Sequence, residues 1–383
     1  MAKATMSHHP TFPLTRAGSA LSAGLMALSA ALLSGCFPDV RQSTVHPASD
    51  TGEVIQGVYR MVTWIDTGIF VLVVLLLGWA IWRYRESKSP AGTIPKQVHG
   101  NSVLEVIWTI VPAVILIFIA VPTWSGIFRI ERPPKGDALK VEAVGHQWFW
   151  EFDYKDSGLV TAGELHVPVG KPVEIMTHSK DVIHSFWVPK LAGKMDAFPE
   201  KENLLWFTPD QIGTYYGQCA EFCGTSHANM RFRVMVDSEA DFNAWVERTK
   251  KAQLAKTDEA KAGEKLFAER FCVVCHTING RPDAQGQIGP NLTNLKDRTS
   301  IASGLIDNTP ENLARWIKSP RDVKPGAMMC WPPVQPTDTA CGKLPVSDDD
   351  VNKLIAYLTS PSAGAAPGYG QAPQAQTRGT AGK

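Results

Sequence analysis

The stretch QCAEFCGTSHANM, residues 218–230, holds Cys219, Cys223, His227 and Met230, with Glu221 between the two thiols. The ligand types narrow its use. Thiolate and thioether sulfur are soft donors, and imidazole suits copper. Zinc sites are built from Cys, His and carboxylates rather than methionine. A disulfide between the two cysteines would leave His227 and Met230 without a task. Seven cysteines in 383 residues are too few for a disulfide scaffold, and their clustering points to cofactors.

Around this stretch, residues 137–236 read as short strands. LKVEAVGHQWFWEFDY (139–154) and ELHVPVGKPVEIMTHS (164–179) are rich in Val, Trp, Phe and Tyr, alternate in part, and are broken by Gly and Pro turns. Such segments predict a β-sandwich or barrel. His184, in DVIHSFWVP, precedes Cys219 by thirty-five residues. One histidine from a strand with Cys, His and Met from a later loop is the blue-copper set, which uses a single cysteine. Here there are two. Two sulfurs can bridge two coppers, with His184 completing one and His227 the other, and Met230 and the Glu221 carbonyl filling the set. Bridging spreads one electron over both metals, so little geometry changes on reduction.

The order His184…Cys219-x-Glu221-x-Cys223-x3-His227-x2-Met230 resembles the dinuclear copper A centre of cytochrome c oxidase subunit II, and the resemblance covers residues 55–236. It implies a cupredoxin-like all-β Greek-key barrel over 137–236. It also implies that Trp148, the first tryptophan of GHQWFWEFDY, receives electrons from a cytochrome c. By period two, Trp148, Trp150 and Phe152 share a strand face, and core packing is the plainer reading of that face. The family gives the Glu221 carboxylate to a magnesium ion shared with subunit I, in keeping with a hard cation's taste for oxygen; the alternative is a solvated loop acid. Glu105 matches a glutamate that the family sets at the mouth of a proton channel in subunit I. Acids also favour helix N-termini without any such role.

The N-terminus speaks to compartment. Lys3 and Arg16 flank a polar start, and the uncharged run to residue 35 reads as a signal peptide, 1–35. Leu33-Ser34-Gly35-Cys36 resembles a lipoprotein cleavage box with Cys36 lipidated; an ordinary cleavage nearby is the alternative. Two further apolar runs, 62–82 and 106–128, are long enough to span a bilayer, giving a helix hairpin within 36–136. Tryptophans at their ends fit interfacial belts, and Pro112 and Pro122 are tolerable where neighbours satisfy the freed backbone. Basic residues flank both ends, so the charge rule does not orient the hairpin. The exported start does, with everything after residue 129 outside again. That predicts a bacterial inner-membrane location with the later domains on the periplasmic side. A net charge of +1 gives no sign of nucleic acid.

After a linker, 237–257, comes a third unit at 258–360. Cys272-Val-Val-Cys275-His276 is the c-type haem attachment pattern, with both thiols bonded to the haem and His276 on its iron. A thioredoxin-like pair or half a zinc site lacks the adjacent histidine. GPNL (289–292) resembles the cytochrome c loop whose proline carbonyl, Pro290 here, orients that histidine. VKPGAMMCWPP resembles the Lys-Pro-Gly-x-x-Met pattern, giving Met329 as the sixth ligand with Met328 as fallback. Cys330 and Trp331 depart from the usual Met-Pro, and a Cys330–Cys341 disulfide would clip this loop in an oxidising compartment. The expected fold there is an all-α class I cytochrome c, and the tail 361–383 reads as disordered.

Together these readings describe a multidomain chain resembling bacterial oxidase second subunits with a fused cytochrome c. They imply a route from an external cytochrome or cupredoxin, through haem c, Trp148 and the coppers, to subunit I. There oxygen becomes water with proton pumping, subunit III being a further partner. Two rivals stand. A nitric oxide reductase would share copper and haem, though Glu105 and Glu221 both serve the oxidase partner. A membrane-anchored copper carrier has no need of Cys272, Cys275 and His276.

Overall fold

The computed structural model describes residues 40–85, 99–134, 136–251, 255–329 and 344–361. The signal peptide, Cys36, the Cys330–Cys341 pair and all but the first residue of the tail lie outside the described residues.

Two long helices, α1 (Asp50–Arg83) and α2 (Ser102–Glu131), contain the two apolar runs. Ser49 caps α1 by accepting from the Gly52 N–H at 3.0 Å, and Asn101 caps α2 by accepting from Val103 and Leu104 at 3.1 and 3.2 Å. Their mid-portions expose Phe70, Leu75, Leu116 and Phe118. An apolar surface that nothing among the described residues covers is what a lipid-facing helix presents. Both helices are pinned to the following domain at one end. The Asp50 carboxylate accepts from the Thr208 N–H at 2.8 Å, and the Trp206 indole donates to the Ile130 carbonyl at 2.6 Å. The start of α1 and the end of α2 therefore sit on one side. At 1.5 Å per residue, the hairpin's far end is about 45–50 Å away.

Ten strands build the next domain in two five-stranded sheets. The first sheet takes the order β3 (Leu159–Ala162), β2 (Phe149–Tyr154), β1 (Leu139–His146), β5 (Val173–Ser179), β8 (Asn203–Phe207). The second runs β4 (Glu164–Pro168), β10 (Arg231–Asp237), β9 (Gly213–Cys219), β6 (His184–Trp187), β7 (Met195–Ala197). Pairs β1/β5 and β4/β10 are parallel, the rest antiparallel. Alternation points Trp150, Phe152 and Tyr154 of β2 inward, where Trp150 and Phe152 meet Phe186 and Phe232. This is the cupredoxin-like fold expected for this part of the chain, with β10 running to Asp237.

Two expectations need correction. Trp148 does not share the strand face of Trp150 and Phe152, because it lies in the turn between β1 and β2. The strand period does not carry through a turn. The stretch 237–257 is not a bare connector either. It contains α3 (Glu239–Thr249), whose Phe242 and Trp245 are buried in the barrel core beside Tyr154.

The last domain packs α4 (Asp258–Glu269) against the closing helix Asp348–Leu358. Each buries one face at helical spacing: Ala260, Gly263, Leu266 and Phe267 on one, Val351, Leu354, Tyr357 and Leu358 on the other. A short helical turn, Cys272–Cys275, and the helix Pro310–Lys318 complete the small helical domain around a cavity of about 550 Å³.

Candidate functional site

His184 opens β6, Cys219 closes β9, and the loop to β10 carries the rest. These elements are neighbours in one sheet, with Phe186 paired to Cys219. The two sulfurs lie 3.7 Å apart. His184 Nδ1 stands 3.9 Å from Cys219 Sγ, and His227 Nδ1 stands 3.6 Å from Cys223 Sγ. Met230 Sδ is 3.8 Å from Cys223 Sγ, and the Glu221 carbonyl is 3.2 Å from Cys219 Sγ. All six predicted donors are thus brought together, with one histidine beside each thiol. His184 and both sulfurs form a group of metal-ligating atoms lying within 4.8 Å of one another. Soft sulfur and imidazole in a buried pocket fit copper.

Electrostatics prepare the pair. Hydrogen bonding from Cys223, then from His184, holds the Cys219 thiol well below the usual thiol range, while the hydrogen bond with Cys219 and burial push Cys223 up. Sequence reading missed Asp181. Its Oδ1 accepts from His184 Nε2 at 2.7 Å, which leaves Nδ1 for the sulfur side, and its Oδ2 accepts from the Gln147 N–H at 2.6 Å. Burial works against charge on His184, yet Asp181 and Cys219 together raise its pKa. The only sequence signal was an acid three positions before a histidine.

The second cluster surrounds the cavity, which Cys272, Cys275, His276, Met328 and Met329 all line. His276 Nδ1 donates to the Pro290 carbonyl at 2.8 Å, turning Nε2 away as the free donor. Burial lowers the His276 pKa, and burial raises Cys272 to about 11. A Cβ on Gly289 would come within 2.6 Å of His276 Cε1, so only glycine lets the backbone pass the ring there. A large apolar cavity with two thiols, a neutral imidazole and a thioether fits a c-type haem.

Trp148 belongs to both clusters. It is 4% exposed, its indole N–H donates to the Cys223 carbonyl at 3.0 Å, and it lines the cavity. From the helical domain, Ser303 Oγ donates to the Trp148 carbonyl at 2.9 Å, and Lys324 Nζ donates to the same oxygen. Gly326 passes so close that a Cβ would lie 2.8 Å from the indole. Glu221, whose carbonyl belongs to the first cluster, is exposed, beside Phe222, itself 76% exposed. Glu105 sits in the first turn of α2, its carboxylate 3.3 Å from the Asn101 N–H, apart from both clusters.

Membrane-length helices, a two-sheet barrel with a paired-thiol site, and a helical domain with a haem-attachment motif define a membrane-anchored electron-transfer chain. Residues 42–125 match the cytochrome c oxidase subunit II transmembrane domain, 157–237 its periplasmic domain, and 260–362 cytochrome c. Cytochrome c oxidase subunit 2 of Alkalihalophilus pseudofirmus is 35% identical over 337 residues, covering 86% of this chain and 93% of that one. The Bacillus subtilis protein is 36% identical over 356 residues, covering 87% and 95%. The periplasmic domain of subunit II from Bradyrhizobium japonicum is 34% identical and covers 30% of this chain and 95% of that one, with a TM-score of 0.29. The chain belongs to the cytochrome c oxidase subunit II family and carries a C-terminal cytochrome c domain. Those two domains imply copper A and haem.

Proposed function

We propose that this chain is the electron-intake subunit of a proton-pumping haem–copper oxidase in a bacterial inner membrane, with barrel and haem domain on the periplasmic side. In this reading its partners are subunit I, where oxygen is reduced to water, subunit III, and an external cytochrome or cupredoxin donor. Two coppers on the sulfur set and a haem bonded to Cys272 and Cys275 would supply one-electron redox chemistry.

The observation that carries the reading is Trp148, which lines the haem cavity and donates to the backbone of Cys223. A single indole thus bridges the two sites. The chain's other residues prepare both ends. Cys219 and Cys223 offer shared thiolates, His184 and His227 one imidazole each, and Met230 and the Glu221 carbonyl the outer positions. Asp181 holds the His184 ring, and Pro290 holds His276. Met329 packs with the apolar core of the haem domain, which favours it over Met328 as the thioether ligand. The exposed Glu221 carboxylate, beside an exposed aromatic, is free to share a magnesium ion with subunit I. Glu105, at the hairpin end away from the barrel, is assigned to proton uptake on its position alone.

Trp148→Ala should slow electron transfer between the two centres while copper and haem contents stay at wild-type levels. Flash-induced kinetics in the purified complex measure it, and an unchanged internal rate would assign the tryptophan to packing. Oxygen uptake against nitric oxide reduction by the same complex separates oxidase from reductase.

A further inference from the structure

Glu164 opens β4 in register with Arg233 of β10, so both side chains start from one patch of the barrel. Glu164 is 4% exposed. Among the described residues, the hydrogen bonds to its carboxylate come from the haem domain, 135 and 136 positions later in sequence. Oε1 accepts from the Thr299 N–H at 2.9 Å, Thr299 Oγ1 at 2.5 Å, the Ser300 N–H at 2.9 Å and Ser300 Oγ at 2.9 Å. Oε2 lies 3.2 Å from the Thr299 N–H. Arg233 adds Nη1 to Thr299 Oγ1 at 2.8 Å and Nη2 to Asp307 at 3.2 Å. A buried carboxylate is costly unless its acceptor capacity is filled, and hydrogen bonds to an ionised acceptor are about twice as strong as neutral ones. Here two backbone amides and two hydroxyls of another domain fill it.

Two further contacts lie away from this one. Lys324 and Ser303 converge on the Trp148 carbonyl. Asn294 Nδ2 donates to the Arg248 carbonyl at the end of α3, at 3.2 Å. Three separated points fix one body on another in all directions. The cavity records the same arrangement, because Gln147, Trp148, Phe149, Ala162 and Gly163 of the barrel form part of its wall. Lifting the helical domain away would open that wall and bare the indole.

We propose that Glu164 is a positioning residue that latches the haem domain to the copper barrel, seals Trp148 inside the contact and closes the haem cavity. The latched chain presents its haem domain, not Trp148, to a soluble donor. The latch stands on the contacts themselves; its effect on internal electron transfer rests on the electron-intake reading.

The test uses the purified, fully loaded complex carrying Glu164→Ala, Glu164→Gln or Thr299→Val. Glutamine keeps an oxygen for the same donors, so it should restore most of what alanine removes. Hydrogen exchange at the Thr299 and Ser300 amides should rise about tenfold or more in Glu164→Ala, the loss of about 1.4 kcal/mol of protection. Amides of β9 and β10 should be unchanged. Internal transfer, independent of salt in the wild type, should become slower and salt-dependent, because undocked domains must meet by diffusion through a screened field. The haem midpoint potential should fall as water reaches the opened cavity. Thr299→Val should move every readout in the same direction by less, and it decides the matter if Glu164→Ala fails to fold. Unchanged exchange at 299–300 in the variants would overturn the latch. Faster exchange with an unaltered, salt-independent rate would overturn the positioning role, and Trp148→Ala then judges the intake reading separately.

Discussion

Replacing Gly289 by alanine tests whether the 289–290 loop sets the proximal histidine. The new Cβ would stand 2.6 Å from His276 Cε1 and 2.9 Å from Nδ1. Comfortable carbon–carbon contact begins near 3.5 Å, so something must give by about 0.9 Å. The Gly289 backbone is held by its N–H donating to the Cys275 carbonyl at 2.8 Å, which leaves the imidazole to move. That movement stretches the 2.8 Å bond from Nδ1 to Pro290 to roughly 3.5 Å or more, beyond useful hydrogen-bond range. A bond of this kind contributes about 0.5–1.5 kcal/mol. It makes the imidazole a stronger donor and favours oxidised iron, so its loss should raise the haem potential. With 59 mV per tenfold change for one electron, the ceiling is a rise of roughly 20–65 mV. Spectroelectrochemical titration of the haem bands in the intact complex measures it. Pro290→Ala keeps the carbonyl and should shift the potential by less. A fall, or no shift, in Gly289→Ala with full haem content would refute the reasoning.

Further outcomes follow from the copper loop and the interface. Cys219→Ser should remove the bridging pair and with it the two-copper stoichiometry, read by metal analysis and by loss of any mixed-valence signal. Asp181→Asn should keep the fold but weaken copper binding about 10–100-fold, since partners that orient a ligating histidine carry effects of that size; a chelator competition titration reads it. Lys324 is 4% exposed, and burial pushes its pKa down to about 7. The undocked lysine titrates near 10.5, so between those values the undocked form binds more protons. Docking should therefore strengthen as pH rises from 7 towards 10 and be weakest below 7. Amide exchange over 299–304, corrected for intrinsic rates, should follow that trend in wild type and lose it in Lys324→Met.

The cluster of sulfur and imidazole groups was legible because most of it falls within one loop and the chemistry of sulfur beside imidazole is restrictive. The haem motif was legible for the same local reason, and the apolar runs announced the two helices by length. What the sequence did not disclose lies in pairings across long separations. Glu164 looks like any strand-end acid until Thr299 and Ser300 are folded onto it. Arg233 and Lys324 look like surface cations, yet both are enclosed by contacts made between domains. Trp148 was assigned to a strand face because β2 alternates strictly from Phe149, and nothing in the residue types marks the turn just before it. The helix Glu239–Thr249 was hidden by its charge; its two buried aromatics, Phe242 and Trp245, were the available signal.

Strand order has a consequence for biosynthesis. β10 lies between β4 and β9, so the second sheet cannot close until the chain has grown past Asp237. All six groups of the paired-thiol cluster precede that point, whereas Cys272, Cys275 and Met329 follow it. At about 5–20 residues per second, the span from 237 to 329 takes roughly 5–20 s to synthesise. A barrel that folds as it emerges, completed by Phe242 and Trp245 of α3, would have its metal loop assembled while Trp148 and Glu164 were still uncovered. Copper delivery would then have that interval of open access, and the haem domain would fold against a template already made.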